Sequence, residues 1–501
     1  MKELTPLFGL LVFLTLPSCA LHSSRPAELS QSPLPGASRL LRVSPSNPRY
    51  FTDASGKAIY LTGSHTWTGL IDRGPSDPPP PFDFDRYLDL LQTSNHNFIR
   101  LWSRHVSRYD HYGRDILYGA PLPWARSGRG MALDGKARFD LNQFDDQYFS
   151  RLRARVVAAR DRGIYVSIML FGGNSEIDEW TGNPFNVANN VNGIDGDRDG
   201  DGKGDTHRLP LPPDVEMIQK AYVRKVIDTL TDLENVLFEI SNEDETASVA
   251  WQYQLVTFIK DYEAGRIDGA ARKQHPVGMT ALFTTDNPAV FRSPADWISP
   301  GAVNFDDSIG EPYLAGPPSA DGRKVSILDS DHLFFKLISD NPATARQWVW
   351  KSFVRGHNPI LMENIFKDST GRAVPPTLYD PGFIAARAAM GHTRRYANMV
   401  NLLAMAPRGD LTSTGYALAS PGAEYIVYQP GSQPFTVNLI PGTYTYEWFD
   451  PSSGSVYATG SISVAERHTS FIAPFVGDAV LYLKNPAAGS TPILSGRSAG
   501  D

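Results

Sequence analysis

The sequence predicts a (β/α)8 TIM barrel followed by a small all-β sandwich, and three observations predict it. Apolar strand-like runs alternate with helical patterns from Ile59 to Leu403, the signature of repeated strand-helix units around a parallel sheet. No GxGxxG follows a strand, as the competing doubly wound fold would favour. Past Pro407 the pattern changes to short strand-like runs divided by Gly, Pro and Ser.

Taken in order, the predicted strands are Ile59 to Gly63, Asn97 to Trp102, Ile164 to Leu170, Val236 to Ile240, Val277 to Leu282, Trp297 to Val303, Val325 to Leu328 and Pro359 to Met362. The returns are helices at Phe84 to Thr93, Asp145 to Arg162, Asp214 to Leu230 and Ser248 to Glu263, a turn after Asp286, an irregular stretch after Asp307, then helices at Pro342 to Arg355 and Phe383 to Leu403. Eight strands with mostly helical returns close most simply into a barrel, which places chemistry at the C-terminal strand ends. In the tail, Tyr425 to Tyr428, Phe435 to Leu439, Thr443 to Phe449, Val456 to Val464, Ser470 to Ile472 and Ala479 to Leu483 read as strands of a sandwich. Its Trp448 and Tyr446 are expected to pack across strands before they bind anything. The predicted organisation is therefore 1–19 export signal, 20–40 flexible tether, 41–407 barrel, 408–485 β sandwich and 486–501 disordered tail.

Composition excludes some partners. The 501 residues carry Asp+Glu 54 against Lys+Arg 47, a net charge of -7, and no basic run, which argues against nucleic acid. Aromatics make up 11% of the chain; most must be core, and the remainder suit neutral ring-shaped ligands. Lys2, the apolar run Leu7 to Leu16 and then Pro17-Ser18-Cys19 read as an export signal too short for a permanent span. Cys19 is the only cysteine, and Leu16-Pro17-Ser18-Cys19 resembles a bacterial lipobox. An exported lipoprotein anchored to a membrane through Cys19, in the periplasm or at the cell surface, is expected; ordinary signal cleavage is the alternative. Residues 20 to 40, rich in Ser, Pro, Ala and Gly, would then be the tether.

Residues 172 to 212 form one long insertion, beyond the usual strand-to-helix connection. Within it Asp197, Asp199, Asp201 and Asp205 alternate with glycines in DRDGDGKGD, an oxygen-rich spacing that suits a structural Ca²⁺ in the 195–205 loop. Counting Asp197 as one, position twelve is Arg208 rather than Glu, which excludes an EF-hand. A solvated acidic loop is the plain alternative. No cofactor is expected for catalysis, because no HExxH or close His pair occurs on one element.

The stretch FEISNED, residues 238 to 244, carries the chemistry. An apolar strand runs straight into Asn242-Glu243, so a carboxyl and an amide emerge where a barrel keeps its active site. A carboxylic acid beside an amide donor suits proton transfer to a glycosidic oxygen while a neighbouring hydroxyl is held. The plain alternative is Glu243 capping the following helix.

Several strings also resemble the DUF4038-type glycoside-hydrolase-like barrels, related to the apiosidase family, and the small β domain named for collagen binding that often follows them. They are NPRYFTDASGKAIYLTGSHTW (47 to 67), FIRLW (98 to 102), NPFNVANNVNGIDGDRDGDGKGD (183 to 205), FEISNED, ILDSDH (327 to 332), WVWKSFVRGHNPILMEN (348 to 364), GTYTYEWFDPSSG (442 to 454) and APFVGDAVLYLK (473 to 484). The resemblance implies that Glu243 is the acid/base and that its partner ends the seventh strand. Commoner relatives carry Glu there, whereas this chain offers Asp331 first and Asp329 second, with Glu363 after the eighth strand as outsider. Substrate contacts are expected from Asn242, His65, Trp67, Arg100, Trp102, Asn174 and His332, with Arg100 also able to pair Glu239 inside the barrel. The expected mechanism keeps Glu243 protonated and the second carboxylate charged. The function so read is exported hydrolysis of a glycosidic bond in a polysaccharide or oligosaccharide; the alternative is a non-catalytic surface carbohydrate- or matrix-binding lipoprotein on a degenerate barrel.

Overall fold

A computed structural model describes residues 40–111, 115–173, 177–266, 273–282, 287–301, 316–333, 341–364 and 377–489. The expected export signal, all but the last residue of the tether, Asn174 and the stretch from Asp307 to Ala315 lie outside them.

Eight parallel strands close into a barrel: β1 (Gly63–Thr66), β2 (Phe98–Leu101), β3 (Tyr165–Gly172), β4 (Val236–Asn242), β5 (Val277–Thr280), β6 (Trp297–Ser299), β7 (Val325–Asp329) and β8 (Asn358–Met362), with β8 returning to β1. Around it run α1 (Phe84–Thr93), α2 (Asp146–Asp161), α3 (Pro213–Leu230), α4 (Val249–Gly265), α5 (Asn287–Arg292), α6 (Pro342–Val354) and α7 (Pro381–Met399). Helix starts follow local capping: Asp83, Asp145, Asn341 and Asp380 each accept backbone N–H bonds of the first turn. Strands such as β3 and β4 are buried along nearly their whole length, because helices cover the outside and side chains fill the inside; this is why they read as continuous apolar runs.

The first strand differs from expectation. Ala58–Ile59 belongs instead to a small antiparallel sheet with Arg42–Val43 and Phe51–Thr52. Leu41, Phe51 and Leu61 pack there on Phe98, Tyr165, Leu237, Trp297 and Val325, closing the N-terminal end of the barrel. The barrel strand proper is GSHT, whose inward His65 joins a polar network, so hydropathy favours the preceding segment.

The 172–212 segment is not the one long insertion. Between β2 and α2, strand Asp115–Ala120 pairs with Arg108–His111 on one side and Asp72–Gly74 on the other, and Trp124–Met131 pairs with Ala137–Phe144. Their sequences, such as WARSGRGM, alternate too little to signal strands. The two insertions brace one another: Asn189 and Asn192 side chains accept the backbone N–H groups of Leu133 and Leu141 at 2.8 Å.

The tail holds β9 (Ala406–Pro407), β10 (Ala417–Ser420), β11 (Glu424–Gln429), β12 (Phe435–Asn438), β13 (Gly442–Asp450), β14 (Ser455–Val464), β15 (His468–Phe471) and β16 (Ala479–Lys484). Six form one sheet in the order β9-β10-β11-β16-β13-β14, and β12 pairs β15. Strand β11 is buried on both faces. Ile426 and Tyr428 pack with Trp350, Tyr396 and Phe449 against α6 and α7, while Tyr425 and Val427 share a core with Phe435, Val437 and Trp448. Trp448 packs edge-on against Phe435 and Phe471 of the two-stranded sheet, so the packing expected of it runs between sheets rather than across paired strands. Residues 486–489 form a short turn, and the remaining tail lies outside the described residues.

Candidate active site

Strand β4 ends at Asn242, and Glu243 adopts φ 47°, a left-handed backbone that a residue with a Cβ enters at a cost. The kink, rather than strand alternation, aims Glu243. Glu243 does not cap the next helix: the turn Thr246–Ser248 intervenes, and neither it nor α4 has a side-chain cap. From the other side, β7 ends at Asp329 and a single turn, Asp331–Leu333, presents Asp331 and His332. Ligand atoms of Glu243, Asp331 and His332 all lie within 4.8 Å of one another, with both carboxyls half-buried.

Beneath this pair lies a closed polar network centred on Arg100, which is 1% exposed. Its guanidinium donates to both oxygens of Glu239, to Asp329 and, at 2.8 Å, to Asn242 Oδ1. Arg100 can only donate, so the atom it holds on Asn242 is the oxygen. His332 Nε2 donates to that same oxygen at 3.1 Å, and Ser299 donates to His332 Nδ1 at 3.0 Å. The Asn242 NH2 is thereby turned away from both donors. Trp102 Nε1 donates to His65 Nδ1 at 2.7 Å, which leaves His65 Nε2 to donate to Asp329 at 3.0 Å. Burial drives His65 toward the neutral form, against the pull of Asp329, and lowers His332 to about 3.

These partners separate the candidate acids. Asp329 is fully buried, and although burial alone would raise it, His65 and Arg100 hold its carboxyl below the usual range. It also accepts the backbone N–H of Asp331 at 3.0 Å and so sets that residue in place. Glu363, the outsider, is buried and held by Arg387 and Thr377. Burial, Glu243 and Asp329 together push the Asp331 carboxyl well above its ordinary value. Two carboxyls this close release their protons one at a time.

Arg100, His65 and Trp102, expected to contact substrate, are buried beneath the two acids and bonded within this network; the expected Arg100–Glu239 pair is present. Trp102 is buried, stacked on His65, and Trp67, half-buried, tilts against it at 6.3 Å on the rim. Asn242 and His332 stand beside the acids. A metal on Glu243, Asp331 and His332 would need a free imidazole nitrogen, yet both are engaged. In the acidic loop, Asp197, Asp199 and Asp205 come within 4.8 Å of one another and Asp201 is not among them. Sequence reasoning missed Asp244 and His207, joined at 2.6 Å next to Glu243; the adjacency of Asp244 to Asn242-Glu243 was the only signal.

A family model described as a domain of unknown function, DUF6298, matches residues 106–271, which include both insertions and the Asn242-Glu243 strand end. No curated protein matches the chain. Among solved structures, a protein described as a glycoside hydrolase superposes with TM-score 0.59 at 15% identity, covering 89% of this chain and 97% of its own. A glycoside hydrolase family 5 protein from Bacteroides vulgatus ATCC 8482 gives TM-score 0.57 at 14% identity, covering 89% and 94%. At such identities these likenesses establish the barrel fold.

Proposed function

We propose that the protein hydrolyses O-glycosidic bonds, with Glu243 as acid/base and Asp331 as nucleophile. The observation that carries this reading is the approach of the two carboxyls, from separate strands, to within 4.8 Å. That spacing suits the separation of about 5–5.5 Å for direct attack better than the roughly 6.5–9.5 Å that accommodates an intervening water. In the productive complex the shared proton resides on Glu243. Asp331 bonds to the anomeric carbon as Glu243 gives that proton to the departing oxygen; Glu243 then takes a proton from water, whose oxygen displaces Asp331. The NH2 of Asn242, its oxygen fixed by Arg100 and His332, donates to the hydroxyl beside that carbon. The low identity of the solved relatives leaves their substrates with them, and a glycan is proposed here from the site.

The motif resemblance to DUF4038-type barrels belongs to the same proposal, as do export and a lipid anchor on Cys19, supported by the lipobox-like string. A Ca²⁺ held by Asp197, Asp199 and Asp205 is proposed as structural. The test of function is a screen of plant, algal and bacterial glycans for release of reducing sugar. Wild type should release it, while Glu243→Gln and Asp331→Asn should each lose at least 100-fold; a hit that both variants retain would sink the assignment.

A further inference from the structure

The insertion between β3 and α3 begins and ends against Glu243. At its start, the backbone N–H of Gly173 donates to Asn242 O at 3.0 Å, and a Cβ on Gly173 would meet Glu243 O at 2.7 Å, so only glycine lets the two strand ends approach this closely. At its end, His207 Nδ1 pairs with Asp244 Oδ2 at 2.6 Å, and both side chains are buried. The same Asp244 oxygen accepts Ser241 Oγ at 2.9 Å, while its other oxygen accepts the N–H of Glu245 at 3.0 Å. Arg208 grips Glu245. The two residues after Glu243 are therefore each tied to the insertion, and Ser241 before it is tied to Asp244.

His207 is itself held. Its ring stacks on Trp251 at 4.1 Å and 13°, Trp251 donates to Gln219 at 3.0 Å, and Gln219 returns a bond to the carbonyl of Thr206 at 2.7 Å. The chain of contacts closes on the residue beside His207. A left-handed glutamate backbone persists only where its surroundings over-determine it, and this clamp is such a surrounding.

We infer that His207 and Asp244 are positioning residues that hold Glu243 in its strained backbone and keep its carboxyl facing Asp331. The inference rests on the glycosidase reading only for its kinetic readout. His207→Phe keeps a ring to stack on Trp251 but removes the donor; His207→Asn restores a donor near the place of Nδ1. Misplacing a catalytic group by about 1 Å costs about 100-fold in rate. Measured on a glycan that wild type cleaves, His207→Phe should lower kcat by that order with KM within about twofold, and His207→Asn should recover most of the loss. Crystal structures of both variants give the second readout: residue 243 should leave the left-handed region in His207→Phe and remain in it in His207→Asn. An unchanged kcat together with an unchanged Glu243 backbone in His207→Phe would overturn the inference. If wild type cleaves no glycan, the glycosidase reading fails while the crystal structures still decide the clamp.

Discussion

Replacing Glu243 by Gln removes one acid of nearly the same volume and gives the protein two linked responses. Two unit charges within 4.8 Å repel by at least about 3.5 kcal/mol at an effective dielectric of 20. A proton kept on Asp331, whose carboxyl is pushed above its ordinary value, relieves part of this, and about 1–2 kcal/mol is expected to remain in the wild type. Asp331 has a folded-state pKa above its unfolded value, so the folded protein binds more protons between those values and its stability falls as pH rises through that window. Glu243→Gln lowers the folded pKa of Asp331 and weakens this fall. The variant should thus melt close to wild type at pH 4 and gain on it from there toward pH 7. With an unfolding entropy near 2.1 cal/mol/K per residue over roughly 450 folded residues, 1–2 kcal/mol corresponds to about 1–2 °C. Differential scanning fluorimetry in half-unit pH steps resolves that, beside an activity loss of 100-fold or more. A variant less stable than wild type at pH 7, with the difference vanishing at neither end, would refute the account of a strained carboxyl pair.

Three further expectations concern the framework. Arg100→Leu leaves Glu239 and Asp329 buried without their cation, and should lower stability by about 3–5 kcal/mol, read as a loss of soluble protein or a fall in melting temperature. Asp329, depressed in the folded state, contributes stability that is present above its unfolded pKa and lost as pH falls; Asp329→Asn should flatten the acid limb of the melting curve below about pH 4 while lowering stability at neutral pH. If Asp197, Asp199 and Asp205 hold Ca²⁺, a chelator should lower the melting temperature of wild type by about 3 °C, the equivalent of about 2.7 kcal/mol at a hundredfold excess over Kd, and should not affect Asp197→Asn. For the tail, Trp350→Ala, which removes the ring packed between Tyr396, Tyr428 and Phe449, should cost about 3–5 kcal/mol and destabilise barrel and sheet in one transition; two separate transitions would show the sheet to be an independent module.

Much of the architecture was legible because a strand buried on both faces must be apolar along its length, and a helix must repeat at 3.6 residues. Val236 to Ile240 and Phe84 to Thr93 satisfy those demands locally. The first barrel strand escaped notice for the converse reason: His65 is buried against Asp329, so its strand lacks an apolar signature. The strands before α2 escaped because they are polar, and the Trp124–Phe144 hairpin among them is braced by Asn189 and Asn192 of the other insertion.

What the sequence by itself determined is the alternation that builds the barrel and the placement of an amide-carboxyl pair at the end of an apolar strand, since both are properties of adjacent residues. What only the tertiary structure decided is the different surroundings of Asp331 and Asp329. The two lie two residues apart, yet Arg100 and His65, 229 and 264 residues from Asp329 in sequence, hold that carboxylate in the interior while its neighbour faces Glu243. Which carboxyl is locked and which is poised depends on charges that only folding brings within bonding distance.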